Sequence, residues 1–121
     1  MEPIRIVLID MSPLLREIVR ETVARQPDLD VVAEHGADAD VRAAVERDDA
    51  DFVIVGSEAT ARAGVRALVG DDLGVRALEL HDDGKESVLY ELRPHRVPLG
   101  EISPETLLRT IRAVPRWDAE P

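Results

Sequence analysis

Apolar residues recur along this chain in two alternating patterns. Short, largely apolar runs occur at 4–9 (IRIVLI), 29–34 (LDVVAE), 52–55 (FVIV) and 75–80 (VRALEL). Such runs are typical of strands buried on both faces of a sheet. The segments between them space their apolar residues by three or four, as helices with one buried face do. This alternation predicts an α/β domain with a mostly parallel sheet and right-handed crossovers.

Helix-start signals support this order of elements. Ser12-Pro13 and Ser103-Pro104 each place a capping hydroxyl before a proline at the first helical position. Asp38 or Asp40 is expected to cap a helix that runs to about Arg47, and a short helix is expected near 59–69. The buried face predicted for the first helix consists of Leu14, Leu15, Ile18, Val19 and Val23, and that of the last helix of Leu107, Leu108, Ile111 and Val114.

The stretch HDDGKESVLYELRPHR, residues 81–96, is the hardest to assign. Asp83-Gly84 is a strong turn signal, and SVLYEL has the composition of a strand. A hairpin is therefore favoured over a short helix. The next strand is expected near 97–99, where Pro98 is tolerated only at the edge of a sheet.

Length and composition narrow the classes of function. The 121 residues suit a single domain over 1–121, with an ordered core at about 3–115 and a tail at 116–121. Cysteine is absent, which excludes disulfides and thiolate chemistry. The net charge of −10 argues against nucleic acid and anionic membranes as partners. Without a long apolar stretch or a signal peptide, the expected location is the cytoplasm.

Two segments resemble the receiver domain of bacterial response regulators. Residues 4–45, IRIVLIDMSPLLREIVRETVARQPDLDVVAEHGADADVRAAV, are similar to the family's first strand, acidic loop, Pro-Leu-Leu-Arg helix start, Pro-Asp turn and second strand. Residues 97–114, VPLGEISPETLLRTIRAV, resemble its last strand and helix. The resemblance implies a flavodoxin-like, three-layer α/β/α sandwich with a mostly parallel five-stranded sheet. The hairpin at 81–96 would replace the family's fourth helix.

The resemblance also shows where the family's phosphorylation chemistry should lie. A typical receiver holds Mg²⁺ with two acids after its first strand and with the aspartate that accepts the phosphoryl group. Here Asp10 matches the first acid, Met11 stands at the second, and Gly56 stands at the acceptor. A thioether does not replace a hard oxygen ligand of Mg²⁺, and glycine has nothing to phosphorylate. Glu79 stands at the family's Thr or Ser position, and Gly100 at its lysine.

Two alternative alignments exist. A different gap places His81 at the Thr or Ser position, and Arg93-Pro94 can be matched to the family's Lys-Pro. The stronger match at 97–114 argues against the second. Four of the five positions have thus lost their chemistry, so the resemblance implies a degenerate "pseudo-receiver" without metal or cofactor.

Other candidate sites have both a functional and a structural interpretation. Ser12 and Ser57 are possible ligand or anion contacts, but plain helix capping is favoured for Ser12 and a tight turn explains Ser57 equally well. For Asp10, a structural role in the loop is favoured over a role as a metal ligand or phosphoryl acceptor. His81-Asp82-Asp83 fits a solvated turn better than a metal cluster. Tyr90, Leu92 and Trp117 are candidates for an interaction surface. In the structural interpretation, Tyr90 covers the sheet edge and Trp117 packs on the last helix.

These observations favour a stand-alone regulatory module that binds another protein or a second copy of itself, rather than an enzyme. In the family, association uses the last strands and the last helix, here about 78–99 with 103–114. Because the chain ends after that helix, no output domain is expected. The alternative is a small metabolite bound at the carboxyl ends of the strands. Gly56 and Gly100 would open space there, and Ser12, Ser57 and Glu79 would offer polar contacts.

Overall fold

The computed structural model of the protein describes residues 2–65, 75–81, 84–90 and 96–113. Six strands are present in this part of the chain: β1 (Ile4–Ile9), β2 (Leu29–His35), β3 (Phe52–Val55), β4 (Arg76–His81), β5 (Glu86–Tyr90) and β6 (Arg96–Pro98). The helices of the same part are α1 (Pro13–Ala24), α2 (Val41–Asp48), the short α3 (Glu58–Thr60), which continues as a π-helical turn (Ala61–Val65), and α4 (Pro104–Arg112).

The strands form one sheet in the order β2-β1-β3-β4-β5-β6. Neighbouring strands from β2 to β4 run parallel, whereas β5 is antiparallel to both β4 and β6. The sheet therefore has six strands instead of the expected five. Five of them point the same way, and β5 is the added, reversed strand. The α/β class and the mostly parallel sheet are confirmed.

The predicted hairpin accounts for the added strand. His81 of β4 pairs with Glu86 of β5, and Gly84 in the connection has the positive φ, 96°, that its turn requires. For residues 86–90 the helix alternative is wrong. Pro98 lies on β6, the last strand of the sheet, where a missing N–H is tolerated.

Helices cover both faces of the sheet and make three layers. Alternate strand residues point to opposite faces. Ile6, Leu8 and Ile54 pack in one buried cluster with α1 and α4. Val7 and Val53 pack in a second cluster with α2 and the π-helical turn. The α1/α4 side contains mainly Leu, Ile and Phe, whereas the α2/α3 side contains mainly Val and Ala.

Local signals placed the helix starts correctly. The Ser12 hydroxyl accepts from the Leu15 N–H at 3.3 Å, and that of Ser103 accepts from the Thr106 N–H at 3.1 Å. For α2 the cap is Asp40 rather than Asp38. Beyond the π-helical turn, the rest of the helix predicted at 59–69 lies outside the described residues.

The predicted buried face of α1 is partly wrong. Leu15, Val19 and Val23 are buried, but Leu14 is 62% exposed and Ile18 is 41% exposed. The buried residues follow one i, i+4, i+8 stripe, and the other two lie about 100° around the helix from it. The sheet covers only the first stripe. In α4 the buried residues are Leu107, Thr110 and Ile111; Leu108 is partly buried, and Val114 lies outside the described residues.

Candidate functional site

The ends of β1 and β3 meet at the carboxyl edge of the sheet. Ile9 pairs with His35 of β2 on one side and with Val55 of β3 on the other. The chain therefore reverses its direction of winding at β1, and such a switch point is the usual ligand crevice of open α/β sheets. The residues that follow are Asp10 and Gly56, and the Gly56 N–H donates to the Ile9 carbonyl at 3.0 Å. This edge carries the residues matched to the receiver pocket.

Gly56 is packed directly against the backbone of the loop between β1 and α1. A β-carbon placed on Gly56 would lie 2.5 Å from the Asp10 carbonyl oxygen and 2.9 Å from the Met11 α-carbon. Real β-carbons do not approach other atoms so closely, and here the obstacles are backbone atoms. A side chain at residue 56 would therefore require the backbone of the loop between β1 and α1 to move.

Asp10 links this loop to α3. Its φ is 54°, in the left-handed region that aspartate tolerates better than most residues. Its Oδ2 accepts a hydrogen bond from the Thr60 hydroxyl at 3.0 Å, and its N–H donates to the His35 carbonyl at 2.9 Å. The interpretation of Asp10 as a structural loop residue is supported by these three features.

Met11, Ser12 and Ser57 also have structural roles. Met11 is only 9% exposed and belongs to the cluster beneath α1 and α4. The Ser57 hydroxyl accepts from the Thr60 N–H at 3.3 Å and caps α3. Ser12 caps α1 in the same way. The capping interpretation of Ser12 is thus confirmed, and Ser57 likewise proves to be a cap.

Glu79 is fully buried in β4, between Val55 of β3 and Val88 of β5. Its Oε2 contacts Nε2 of His81, whose side chain is 22% exposed. A buried carboxylate is costly unless hydrogen bonds or a counter-charge offset the loss of water, and the imidazole provides such a partner. The sequence interpretation missed this pair. The available signal was Glu-x-His within a strand, because residues two apart point to the same face.

Gly100 lies in an exposed turn between β6 and α4. Its φ is 78°, which favours glycine, and its carbonyl accepts from the Ser87 hydroxyl at 2.9 Å. Gly84, in the turn before β5, accepts at its carbonyl from the Ile102 N–H at 2.6 Å. The contacts of this turn are therefore with the β4–β5 hairpin, so position 100 has a structural role here.

The predicted interaction residues are only partly visible. The backbone of Tyr90 pairs with Ala77 and Arg96 at the end of β5. Its side chain, and all of Leu92 and Trp117, lie outside the described residues. Among the described residues there is no group of three His, Asp or Glu side chains that could hold a metal ion.

Grooves on the described surface lie around the helices. One of about 500 Å³ runs between α1 and β2, and its lining includes Arg20, Leu29 and Glu34. Another, of about 360 Å³, lies between α2 and the π-helical turn and is lined by Val41, Thr60 and Gly64. Neither is lined by Asp10, Gly56 or Glu79, the residues at which the sequence placed a crevice.

The chain was compared with known proteins in three ways. No protein family model, no curated protein and no solved structure matches it. No helix in the described part of the chain is both long and apolar enough to cross a membrane.

Proposed function

We propose that this protein is a receiver-like module of two-component signalling that acts through protein–protein contacts without aspartyl phosphorylation. The observation that carries this proposal is the contact of Gly56 with the Asp10 backbone. In a receiver, position 56 would carry the carboxylate that accepts the phosphoryl group. Here the chain's own backbone occupies that space.

The other switch positions support the same conclusion. Met11 is buried among apolar side chains, where it cannot serve a cation that requires oxygen ligands. Asp10 accepts a hydrogen bond from Thr60, and Glu79 is buried beside His81. Each of these side chains contributes to packing or to a hydrogen bond within the fold. The pocket that would sense phosphorylation is therefore a structural junction.

The proposed fold within the α/β class is flavodoxin-like. The order β2-β1-β3-β4, with α1 and α4 on one face and α2 and α3 on the other, supports it. The main departure is the antiparallel strand β5, which separates β4 from β6. This insertion extends the sheet next to α4. A partner of this module would bind here, on the surface formed by about 78–99 with 103–114, which we call the β4–β6 face.

The contact at Gly56 also weakens the alternative of a small metabolite bound between the ends of β1 and β3. Such a ligand needs an open crevice at the switch point. Here the Asp10 carbonyl oxygen and the Met11 α-carbon lie within 3 Å of the position that a β-carbon on Gly56 would take, so the glycine faces backbone atoms there.

The proposal is tested by incubating the protein with Mg²⁺ and a small phosphodonor and measuring its intact mass. We expect no added phosphoryl group. A receiver that retains its acceptor aspartate, treated identically, serves as the positive control. A phosphorylated species that disappears in Asp10→Asn would overturn the proposal.

Native mass spectrometry of gently purified protein tests the second half of the proposal, which is action through protein contacts. We expect the protein to carry a bound protein or a second copy of itself. A monomer with a small-molecule adduct would favour the metabolite alternative.

A further inference from the structure

A groove with apolar and acidic lining residues lies at the β2 edge of the sheet. It has a volume of about 500 Å³ and runs between α1 and β2, and we call it the α1/β2 groove. Its apolar lining consists of Val23, Ala24, Leu29 and Val31. The rest of the lining is charged. A ligand that fits this groove therefore combines apolar with charged groups.

The strand β2 has outward-facing backbone groups beside this groove. It is the first strand of the sheet, and among the described strands it pairs with β1 alone. The carbonyl of Asp28 accepts from the Ile4 N–H at 2.9 Å and therefore faces β1. Since successive residues of a strand direct their backbone groups to opposite edges, the N–H and carbonyl of Val31 face away from β1. Such an edge can pair with a further extended segment.

The charged lining of the groove is more acidic than the chain as a whole. It consists of Glu17, Glu21, Asp30 and Glu34 with Arg20, which gives a net charge of −3 among nine lining residues. At the chain's average of −10 over 121 residues, nine residues would carry less than one negative charge. Arg16, which pairs with Glu34 at 3.6 Å without lining the groove, still leaves −2 when it is counted.

Three of these acids are open to a positively charged partner. Arg20 pairs with Glu34 at 3.0 Å. Glu17, Glu21 and Asp30 are exposed, and none of them belongs to an ion pair within the described part of the chain. A second copy of the chain would bring the same acidic lining against this one and would be repelled. The charge therefore favours a basic segment of another protein.

The spacing of the acids on α1 matches that of side chains on an extended segment. Glu17 and Glu21 are four residues apart, which is a rise of about 6 Å along a helix. Residues two apart in a strand point to the same side and lie about 6.5 Å from each other. Because α1 connects the parallel strands β1 and β2, it runs back along them, and so it also runs along any segment added to β2. Two arginines separated by one residue therefore match the two glutamates.

We propose that the α1/β2 groove binds an extended Arg-x-Arg segment of a partner protein, which adds to the sheet beside β2. The two guanidinium groups bind Glu17 and Glu21, and the methylene stems of the arginines cover the apolar lining. The backbone of the segment pairs with the outward groups of Val31. This inference rests on the proposed function only in that the module acts through protein contacts. The groove lies at the opposite end of the sheet from the β4–β6 face.

Isothermal titration calorimetry with synthetic heptapeptides tests the site. The probe is acetyl-Ser-Thr-Arg-Val-Arg-Thr-Ser-amide, whose arginines lie on one side of an extended chain, and we expect it to bind with a stoichiometry of one. The isomer acetyl-Ser-Thr-Val-Arg-Arg-Thr-Ser-amide has the same composition and charge, but its arginines point to opposite sides. We expect the isomer to bind about fivefold more weakly, because only one of its arginines can reach the glutamates.

N-methylated forms of the probe test the strand pairing. One edge of the bound peptide pairs with β2 and the other faces water. Methylation of the valine nitrogen removes a donor from one edge, and methylation of both arginine nitrogens removes donors from the other. We expect one of these two peptides to bind like the probe and the other about tenfold more weakly. Equal binding of the two would contradict pairing with β2.

Variants of the protein test the two glutamates. Glu17→Gln and Glu21→Gln each remove one charge that faces an arginine, and each should weaken binding of the probe about fivefold. Asp38→Asn removes the same charge from an exposed position outside the groove and is the matched control. It should change the dissociation constant less than twofold. Circular dichroism during thermal unfolding verifies that each variant is folded.

The outcomes separate this inference from the proposed function. A probe that does not bind, two arginine isomers that bind equally, or a control variant that weakens binding as much as Glu21→Gln would each overturn the Arg-x-Arg site. A dimer in sedimentation velocity that a folded Val31→Pro variant abolishes would assign the β2 edge to a second copy and also overturn it. None of these results affects the phosphorylation test. A phosphoryl group added to the protein would overturn the proposed function and leave this site standing.

Discussion

Arg76, the first residue of β4, donates from Nη1 to the carbonyl oxygen of Ala113 at a distance of 2.7 Å. The same guanidinium donates to the carbonyls of Thr110, at 3.1 Å, and Ile111, at 2.6 Å. It also lies over the ring of Phe52, 5.0 Å from the ring centre. Arg76 is only 4% exposed. A buried cation thus caps the C-terminal end of α4, where the helix dipole is negative.

Replacing Arg76 should therefore destabilise the protein more than an ordinary surface change. Arg76→Lys keeps the charge but loses the planar fork that reaches several carbonyls at once. We expect a loss of about 2 kcal/mol in the free energy of unfolding, as for the loss of charged hydrogen bonds. Urea unfolding measures it, and Arg47→Lys, at a position 64% exposed, is the control. Equal stability of Arg76→Lys and the unaltered protein would show that the fork is unimportant.

Arg5 makes the equivalent contact on the other face of the sheet. Its Nη2 donates to the Asp48 carbonyl at 2.9 Å, and its Nε lies 3.1 Å from the carbonyls of Asp48 and Asp49 at the end of α2. Arg5 is only partly buried. We expect Arg5→Lys to cost roughly 0.5–1 kcal/mol, because water can replace the lost hydrogen bonds. The same urea experiment tests the ranking, and a larger cost for Arg5→Lys than for Arg76→Lys would contradict it.

Gly56→Ala should be strongly destabilising. The added β-carbon would lie 2.5 Å from the Asp10 carbonyl oxygen, so the loop between β1 and α1 would have to move. Overpacking of this kind costs about 1–3 kcal/mol. Gly36→Ala is a matched control, because its β-carbon would meet nothing within 4 Å and should leave stability unchanged or raise it by about 0.5 kcal/mol. If both variants unfold at the same urea concentration, residue 56 does not lie as close to the Asp10 backbone as the structure places it.

The variant Gly56→Asp tests whether this lack of space also prevents phosphorylation. It supplies the type of side chain that receivers phosphorylate, but its β-carbon would already lie 2.5 Å from the Asp10 carbonyl oxygen. We expect a less stable protein that still accepts no phosphoryl group from a small phosphodonor. Intact mass measurement decides the point. Phosphorylation of a folded Gly56→Asp variant would show that an aspartate at this position is sufficient for phosphoryl transfer and would contradict this expectation.

The pair of Asp28 and Arg112 should be visible in a pH titration. Hydrogen bonds from the Arg112 guanidinium lower the pKa of Asp28 below its ordinary value of 3.8. A carboxyl group with a lowered pKa stabilises the fold at pH values above its ordinary pKa. This contribution is lost as the pH falls through the lowered pKa. In Arg112→Gln we expect the pKa of Asp28 to rise towards 3.8. Carboxyl-carbon NMR measures it, and an unchanged Asp28 titration would contradict the pairing.

Local chemistry was sufficient to predict most elements of this fold. The serines at 12 and 103 and Asp40 cap helices because a hydroxyl or carboxylate satisfies free N–H groups within the same turn. The added strand β5 follows from a turn signal beside a β-rich segment. Such signals act over a few residues, so they can be recognised without knowing the rest of the molecule.

The sequence by itself thus determined the order of strands and helices, the helix starts and the hairpin, since each depends on neighbouring residues. Only the tertiary structure decided which stripe of α1 is buried, because periodicity alone does not distinguish Leu14 and Ile18 from the stripe that faces the sheet. It also decided that Gly56 lies against Asp10 and that Arg76 caps α4. These contacts join segments more than 30 residues apart, and their distances are set by how the layers pack.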